Sequence, residues 1–321
     1  MLGITLGDPY STNIECIAKT LLEDSLPIPI VLFGSGFHWE TQTHKLNIKV
    51  DITPCTSIIP NQKGIYFVDT HPEGSPTCDA SQLSTEERGK IAISALEACL
   101  ERPEIGYVIT GPIDKYACQK AGWIYPGHTE YFSEQWGGDG IMVLAGDHLR
   151  VGLVTTHIGI DKVSQSISRE LLENKIDLFH QTIKKHFHIN NPQIAICGLN
   201  PHAGDGGLFG QEEIETLSPT IDALKSKYSL FGPFAADTIF HEAIQGKYDG
   251  VLAMYHDQGL VAVKTIDFYS AINITGGLKK IRISPDHGPG SALYLKNSAH
   301  RGSWKSCIRH IKGMIRSWPT K

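Results

Sequence analysis

Three histidines stand at the ends of three short apolar runs. The runs are Val151-Gly152-Leu153-Val154-Thr155-Thr156-His157, Ile196-Cys197-Gly198-Leu199-Asn200-Pro201-His202 and Val251-Leu252-Ala253-Met254-Tyr255-His256. Strands of a parallel sheet read as continuous apolar runs. Ligands of open α/β sheets gather beyond the carboxyl ends of such strands. Three imidazoles delivered to one edge suit a divalent metal such as Zn²⁺. Each taken alone reads as a packing or hydrogen-bonding residue. The set is stronger, because polar neighbours flank each one: Thr155-Thr156, Asn200-Pro201 and Asp257-Gln258. Metal-bound histidines need carboxylate or carbonyl partners on their other nitrogen, and Asp257 and Asp237 are the nearby candidates.

Three further segments carry chemistry. Pro126-Gly127-His128-Thr129-Glu130 marks a turn opening a helix, and helix N-termini bind anions. The plainer reading is a capping turn with Thr129 as the N-cap. Lys264, Asn273 and Arg282 form a late polar set that suits an anionic substrate, a fork from Arg and a point charge from Lys. The plainer reading is three unrelated surface groups. Gly7-Asp8-Pro9 follows a strand, where many α/β proteins bind nucleotides. No Gly-x-Gly-x-x-Gly turn or phosphate-binding lysine loop accompanies it.

The elements that must position these residues alternate. Strands are expected at Leu2–Leu6, Ile28–Phe33, Gly64–Val68, Tyr107–Thr110, Gly140–Leu144, Val151–Thr155, Gln193–Cys197, Asp249–Met254, Ile272–Thr275 and Ile281–Ser284. Helices are expected at Glu15–Leu22, from Ser84 to Leu100, across Asp161–Phe187 with one break, and at Gln211–Tyr228, Ala236–Gln245 and Ser303–Trp318. Alternation of this kind makes layered α/β domains. With 321 residues, two domains are the default. A net charge of −5 gives no electrostatic reason to expect nucleic acid or an anionic membrane as partner. Seven scattered cysteines without a Cys-x-x-Cys point to reduced thiols. No basic leader and no long apolar stretch is present, so a cytoplasmic protein is expected.

Taken together, these segments resemble the NAD-dependent 4-hydroxythreonine-4-phosphate dehydrogenases of vitamin B6 synthesis. The matching pieces are Ile4–Pro9, Thr110–Lys115, Pro126–Glu130, Thr155–His157, Gly198–Gly204, Gly232-Pro233 with Ala236–Thr238, Met254–Leu260, Asn273–Thr275, Ile281–Ser284 and Asp286–Gly288. The resemblance implies a fold of two α/β/α domains like that of isocitrate and isopropylmalate dehydrogenases. Residues 1–124 and 265–321 would form the first and 125–264 the second. It implies a homodimer with active sites near the subunit interface. His157, His202 and His256 match the family's ligands for a divalent metal (Zn, Mg or Co). His128, Thr129, Lys264, Asn273 and Arg282 match its contacts to a small phosphorylated substrate. NAD or NADP would accept hydride, decarboxylation would follow, and Lys264 or Asp257 would move the proton. Other phosphorylated hydroxy acids, of the threonate or erythronate phosphate type, are alternative substrates.

Two segments depart from the family's pattern. Where its first motif continues with Ala-Gly-Ile-Gly-Pro-Glu, this chain has Tyr10-Ser11-Thr12-Asn13-Ile14-Glu15. After Asp286-His287-Gly288 it has Pro289–Asn297, with Tyr294, Leu295 and Lys296 in place of an acidic residue and an Ala-Gly pair. Both regions lie near the dinucleotide in the family and its fold relatives. The departures raise two further readings: a metal-binding homologue without NAD-dependent activity, and a phospho-ligand sensor.

Overall fold

The computed structural model describes residues 1–55 and 62–316. It divides into two compact units, one of Met1–Trp136 and Lys279–Gly313, the other of Gly137–Leu278 with residues 314–316. The junctions thus fall at 136/137 and 278/279, against 124/125 and 264/265 in the sequence reading. The helix carrying His128 and Thr129 belongs with the first unit. The strand carrying Asn273 belongs with the second, because it pairs there.

The strands run, in chain order, β1 (Leu2–Thr5), β2 (Ile30–Gly34), β3 (Thr53–Pro54), β4 (Ile65–Asp69), β5 (Tyr107–Thr110), β6 (Ile141–Ala145), β7 (Arg150–Leu153), β8 (Ile194–Cys197), β9 (Leu230–Phe234), β10 (Gly250–Ala253), β11 (Ile272–Gly276) and β12 (Ile281–Pro285). The helices are α1 (Asn13–Glu23), α2 (Gly36–Lys45), α3 (Thr85–Leu100), α4 (Lys115–Lys120), α5 (His128–Trp136), α6 (Ile160–Ser166), α7 (Arg169–Phe187), α8 (Ser218–Leu224), α9 (Ala236–Ile244), α10 (His256–Ile266) and α11 (Gly302–Arg316).

In the first unit the strand order is β3-β4-β2-β1-β5-β12, and every pair is parallel. Helix α3 begins with a capping box: Ser84 Oγ accepts from Glu87 N–H, and the Glu87 carboxylate accepts from Ser84 N–H.

The second unit has the order β11-β6-β7-β10-β8-β9. Strands β7, β10, β8 and β9 run parallel, while β6 is antiparallel to both neighbours. Alternation along the strands separates two faces. Leu144, Val151, Leu153, Ala195, Val251 and Ala253 pack with Ile239, Ala243 and Val263 of α9 and α10. On the opposite face, Phe179 of α7 lies where Cβ atoms on Gly152 and Gly250 would sit, at 2.6 and 2.8 Å. Those two glycines let α7 approach the sheet, and the unit is an α/β/α sandwich as expected.

Several elements differ from the sequence reading. The stretch 161–187 breaks at Ile167-Ser168, and Ser168 Oγ caps α7 through Leu171 N–H. The region 211–228 is not one regular helix. A π-turn over Glu213–Leu217 precedes α8, which stops at Leu224. The last helix covers Gly302–Arg316; Ser317 and Trp318 lie outside the described residues. Helices α2, α4 and α10 are not among the expected elements. Among the described residues, no helix is long and apolar enough to cross a membrane.

Candidate functional site

The second unit brings the three histidine-bearing strands side by side, in the order β7-β10-β8 and mutually parallel. His157, His256 and His202 therefore follow the carboxyl ends of three adjacent strands. Val154 N–H and Thr155 N–H donate to the carbonyls of Ala253 and Met254, and Thr155 Oγ donates to Met254 O at 2.8 Å. These bonds tie the two loops together and set the His157 and His256 ring centroids 5.8 Å apart. The two rings line a cavity of about 500 Å³ with Thr156, Tyr255 and Asp257.

His256 is the first residue of α10. Its Nδ1 lies 2.7 Å from Asp257 Oδ1. A proton on Nδ1 directed at that carboxylate leaves the Nε2 lone pair outward, the orientation a metal-binding histidine needs. Asp237, the other carboxylate considered, sits in the first turn of α9. Gln258 Oε1 accepts from Met254 N–H (2.7 Å), and its Nε2 donates to Gly198 O (2.8 Å). That amide links the His256 turn to the strand end leading to His202.

His202 lies in an exposed loop with unusual backbone. Residues 202–206 all have φ between 44° and 82°. Three of them are not glycine, and each costs about 1–2 kcal/mol relative to the right-handed region. A buried carboxylate braces the loop. Glu213, only 3 % exposed, accepts from Leu199 N–H, Asn200 N–H and Asn200 Nδ2, each at 2.8 Å. Glu212 accepts a second bond from Asn200 Nδ2. The ring of His202 lies 6.3 Å from that of Phe209. Among the described residues, no three His, Cys, Asp or Glu side chains already stand within metal-binding reach of one another. The donor chemistry of His157 and His256 with Asp257 fits a divalent metal; the structure does not bring His202 to that pair.

Lys264 and Asn273 also belong to this unit. The Lys264 ammonium sits 5.5 Å from the Phe268 ring centroid. Asn273 Oδ1 is buried, with no hydrogen-bond partner among the described residues.

The first unit holds the other polar set. Arg282 is 2 % exposed, not a surface group. Its Nε and one Nη donate to Thr110 Oγ at 3.2 and 2.7 Å, and the same Nη lies 3.0 Å from His128 Nδ1. A guanidinium only donates, so His128 Nδ1 accepts and Nε2 carries the proton. That Nε2 is buried and has no partner among the described residues. Burial and the charges of Arg282 and Lys115 hold the imidazole far below the usual histidine range. Burial brings the Arg282 guanidinium down to about 10, so it stays charged near neutrality. Helix α5 starts at His128 itself, so Thr129 lies inside the first turn and is not the N-cap. A fixed cation, a neutral imidazole with a spare N–H and a helix N-terminus together suit a phosphate. Thr110 and Lys115 join this set although neither stands out by spacing; both lie in the Thr110–Lys115 segment.

His128 makes folding pH-dependent. Its folded pKa is depressed, so its contribution is whole above its unfolded value of about 6.5 and is lost as pH falls below it. One such proton is worth up to about 1.4 kcal/mol per pH unit. Urea midpoints measured between pH 7.5 and 5 are expected to fall, and to fall less steeply in His128→Gln. Equal slopes in the two proteins would show that His128 is not held neutral.

The two segments that depart from the family pattern meet in this unit. Tyr10 and Tyr294 pack with ring centroids 4.8 Å apart, against a small core of Ala80, Leu83 and Ile91. Thr12 N–H donates to Pro289 O at 2.9 Å. The Arg88 guanidinium lies 5.6 Å from the Tyr10 ring and forms an ion pair with buried Asp8. Gly7, at φ 69°, packs against Pro112 O, which a Cβ would meet at 2.4 Å. The glycine here serves the chain's own packing. These loops pack against each other.

A buried guanidinium, a neutral imidazole with a spare N–H and a helix N-terminus define a protein that handles a small anionic molecule. The comparisons narrow that class. Residues 27–311 match the family model described as pyridoxal phosphate biosynthetic protein PdxA. A 4-hydroxythreonine-4-phosphate dehydrogenase of Vibrio vulnificus is 37 % identical over 98 % of both chains. One of Vibrio parahaemolyticus is 39 % identical, over 97 % of this chain and 96 % of its own. The crystal structure of the Klebsiella pneumoniae 4-hydroxythreonine-4-phosphate dehydrogenase superposes with a TM-score of 0.81 at 30 % identity, covering 98 % of this chain and 97 % of that one. This chain belongs to the pyridoxal phosphate biosynthetic protein PdxA family, and it is an enzyme of the dehydrogenase class.

Proposed function

We propose that this enzyme oxidises the CH–OH group of 4-phosphohydroxy-L-threonine, with decarboxylation following, in pyridoxal phosphate synthesis. The carrying observation is the buried Arg282–Thr110–His128 constellation, whose unpartnered Nε2–H and fixed charge suit a phosphate. The relatives named above support the substrate. Arg282 and His128, with Thr129 in the first turn of α5, would hold the phosphate oxygens.

His157, His202 and His256 would hold a divalent metal, Zn, Mg or Co, with Asp257 fixing the His256 ring. Such a metal lowers the pKa of a bound hydroxyl and stabilises enolate charge. On the same unit, Asn273 would bind substrate through its free amide oxygen, and Lys264 would supply a further cationic contact. Lys264 or Asp257 would pass the proton. Asp257 is the more accessible, with its side chain 82 % exposed. Oxidation requires a two-electron acceptor, for which NAD or NADP is proposed from the family alone. The packing of Tyr10 on Tyr294, in segments that depart from the family pattern, favours a second reading, a metal-binding homologue without NAD-dependent turnover. Ile158, Ile160, Leu208, Phe209 and Val261 are exposed on the second unit, which supports a homodimer.

One set of measurements tests these points. His202→Ala is expected to lose its metal by elemental analysis; full metal content would reject the histidine trio. Light scattering should give a dimer mass. Calorimetry with NAD and NADP, paired with NADH production from the phosphorylated substrate, separates the two readings. No heat and no turnover would sink the dehydrogenase reading and leave the metal-binding one.

A further inference from the structure

We propose that Lys115 is a second phosphate-binding cation in the anion site of the first unit, and that it makes the site prefer a doubly charged phosphate ester over a singly charged anion of the same shape. This rests on the reading of Arg282 and His128 as a phosphate site.

The chain's path brings Lys115 to that site. Strand β5 ends at Thr110, and the loop after it leads to Asp114, which caps α4. Asp114 Oδ1 accepts from Tyr116 N–H and Ala117 N–H at 3.0 and 3.1 Å. A Cβ on Gly89 of α3 would meet Ala117 O at 2.1 Å, so the bare glycine lets α3 hold α4 close. The start of α4 is thus fixed, and with it the backbone of Lys115. From there the side chain crosses to the N-terminal end of α5. A Cβ on Gly127, the residue before His128, would lie 3.8 Å from both Cε and Nζ of Lys115. The ammonium is felt at the His128 imidazole, where it adds to burial and to Arg282 in keeping the ring neutral.

The other charges of the site do not match a phosphate. A phosphate ester carries close to two negative charges above its second pKa of about 6. Arg282 brings one positive charge, and the neutral His128 ring brings none. Glu130 subtracts: its carboxylate acts on Arg282, and its Oε2 would lie 3.3 Å from the same Cβ on Gly127. Charge left unpaired in a dry site is costly. Lys115 supplies the missing cation, and among the described residues it forms no ion pair of its own. Its helix gains nothing from that charge. Helix α4 begins at Lys115 and has no acidic residue in its first turn, and the helix dipole repels a cation there.

Calorimetric titration of the full-length protein tests this at pH 8, above the phosphate's second pKa of about 6. The ligands are O-phospho-L-serine and L-serine O-sulfate, which share a shape and differ by one charge. The unaltered protein is expected to bind the phosphate ester about tenfold more tightly than the sulfate ester. Lys115→Gln should weaken the phosphate ester about tenfold and the sulfate ester less than about threefold, and Lys115→Arg should keep the preference. Lys115→Gln should melt no lower than the unaltered protein, which separates lost binding from lost folding. Undiminished phosphate binding in Lys115→Gln, or an equal loss for both ligands, overturns the proposal. Arg282→Lys separates this claim from the one beneath it. If Arg282→Lys weakens the phosphate ester and Lys115→Gln does not, the site stands and the second cation is refuted. If neither substitution matters, the phosphate-site reading falls and this proposal with it.

Discussion

Arg282→Lys is expected to raise KM for the phosphorylated substrate by about 10- to 100-fold while leaving the protein folded. The figure follows from the loss of one charge-assisted hydrogen bond, worth about 1.5–3 kcal/mol. Arg282 supports the anion site in two ways. It carries the buried charge, and it donates to both Thr110 Oγ and His128 Nδ1. The second role fixes the His128 tautomer, so that Nε2–H remains to donate. Lysine keeps a charge but has no planar fork to reach both acceptors. Burial already lowers the guanidinium to about 10. An ammonium in the same place loses its proton more readily, so the variant should weaken further as pH rises from 7 to 9. Steady-state kinetics across that range, beside a thermal melt, reads both effects. An unchanged KM in a protein of normal melting temperature would mean that the phosphate binds elsewhere.

Glu213→Ala is expected to lower the melting temperature on the order of 10 °C and to weaken metal binding about 10- to 100-fold. The carboxylate accepts three hydrogen bonds at 2.8 Å, two from backbone N–H groups that lead into the His202 loop. Leaving buried donors without partners costs about 1–3 kcal/mol each. The loop they hold contains six consecutive residues at positive φ, 202–207, a conformation that persists only where the surroundings impose it. Glu213→Gln keeps one acceptor oxygen and should recover much of the stability and part of the affinity. Metal titration distinguishes a positioning role from a merely structural one. A destabilised Glu213→Ala protein that binds metal as tightly as the parent would show that Glu213 does not position His202.

Local sequence carried the elements it could encode within one or two turns. The Ser84–Glu87 capping box, the break before α7 and the apolar runs of β5, β8 and β10 all come from neighbours in the chain. What local pattern missed has a common cause. Helix α10 opens with His256-Asp257-Gln258-Gly259, a polar turn, and is held where Gln258 bonds Gly198 just past β8 and Val263 packs in the core. Glu213 reads as one acidic residue in an expected helix; its burial depends on a loop thirteen residues upstream. Gly152 and Gly250 fall inside two expected strands, and only the packing reveals that they seat the Phe179 ring.

The sequence by itself determined the layered α/β class, the strand-end placement of His157, His202 and His256, and, through its motifs, the family. Apolar runs, caps and motif residues act over a few positions, and that range suffices for such inferences. Tertiary structure alone decided that Arg282 is buried beneath His128 rather than exposed. It also showed that Tyr10 and Tyr294, 284 residues apart in the chain, fill one another's space, and that three glutamate hydrogen bonds hold the His202 loop. Those outcomes depend on which distant groups the fold leaves dry and within 3 to 5 Å of each other, and desolvation at such contacts has no signature in local spacing.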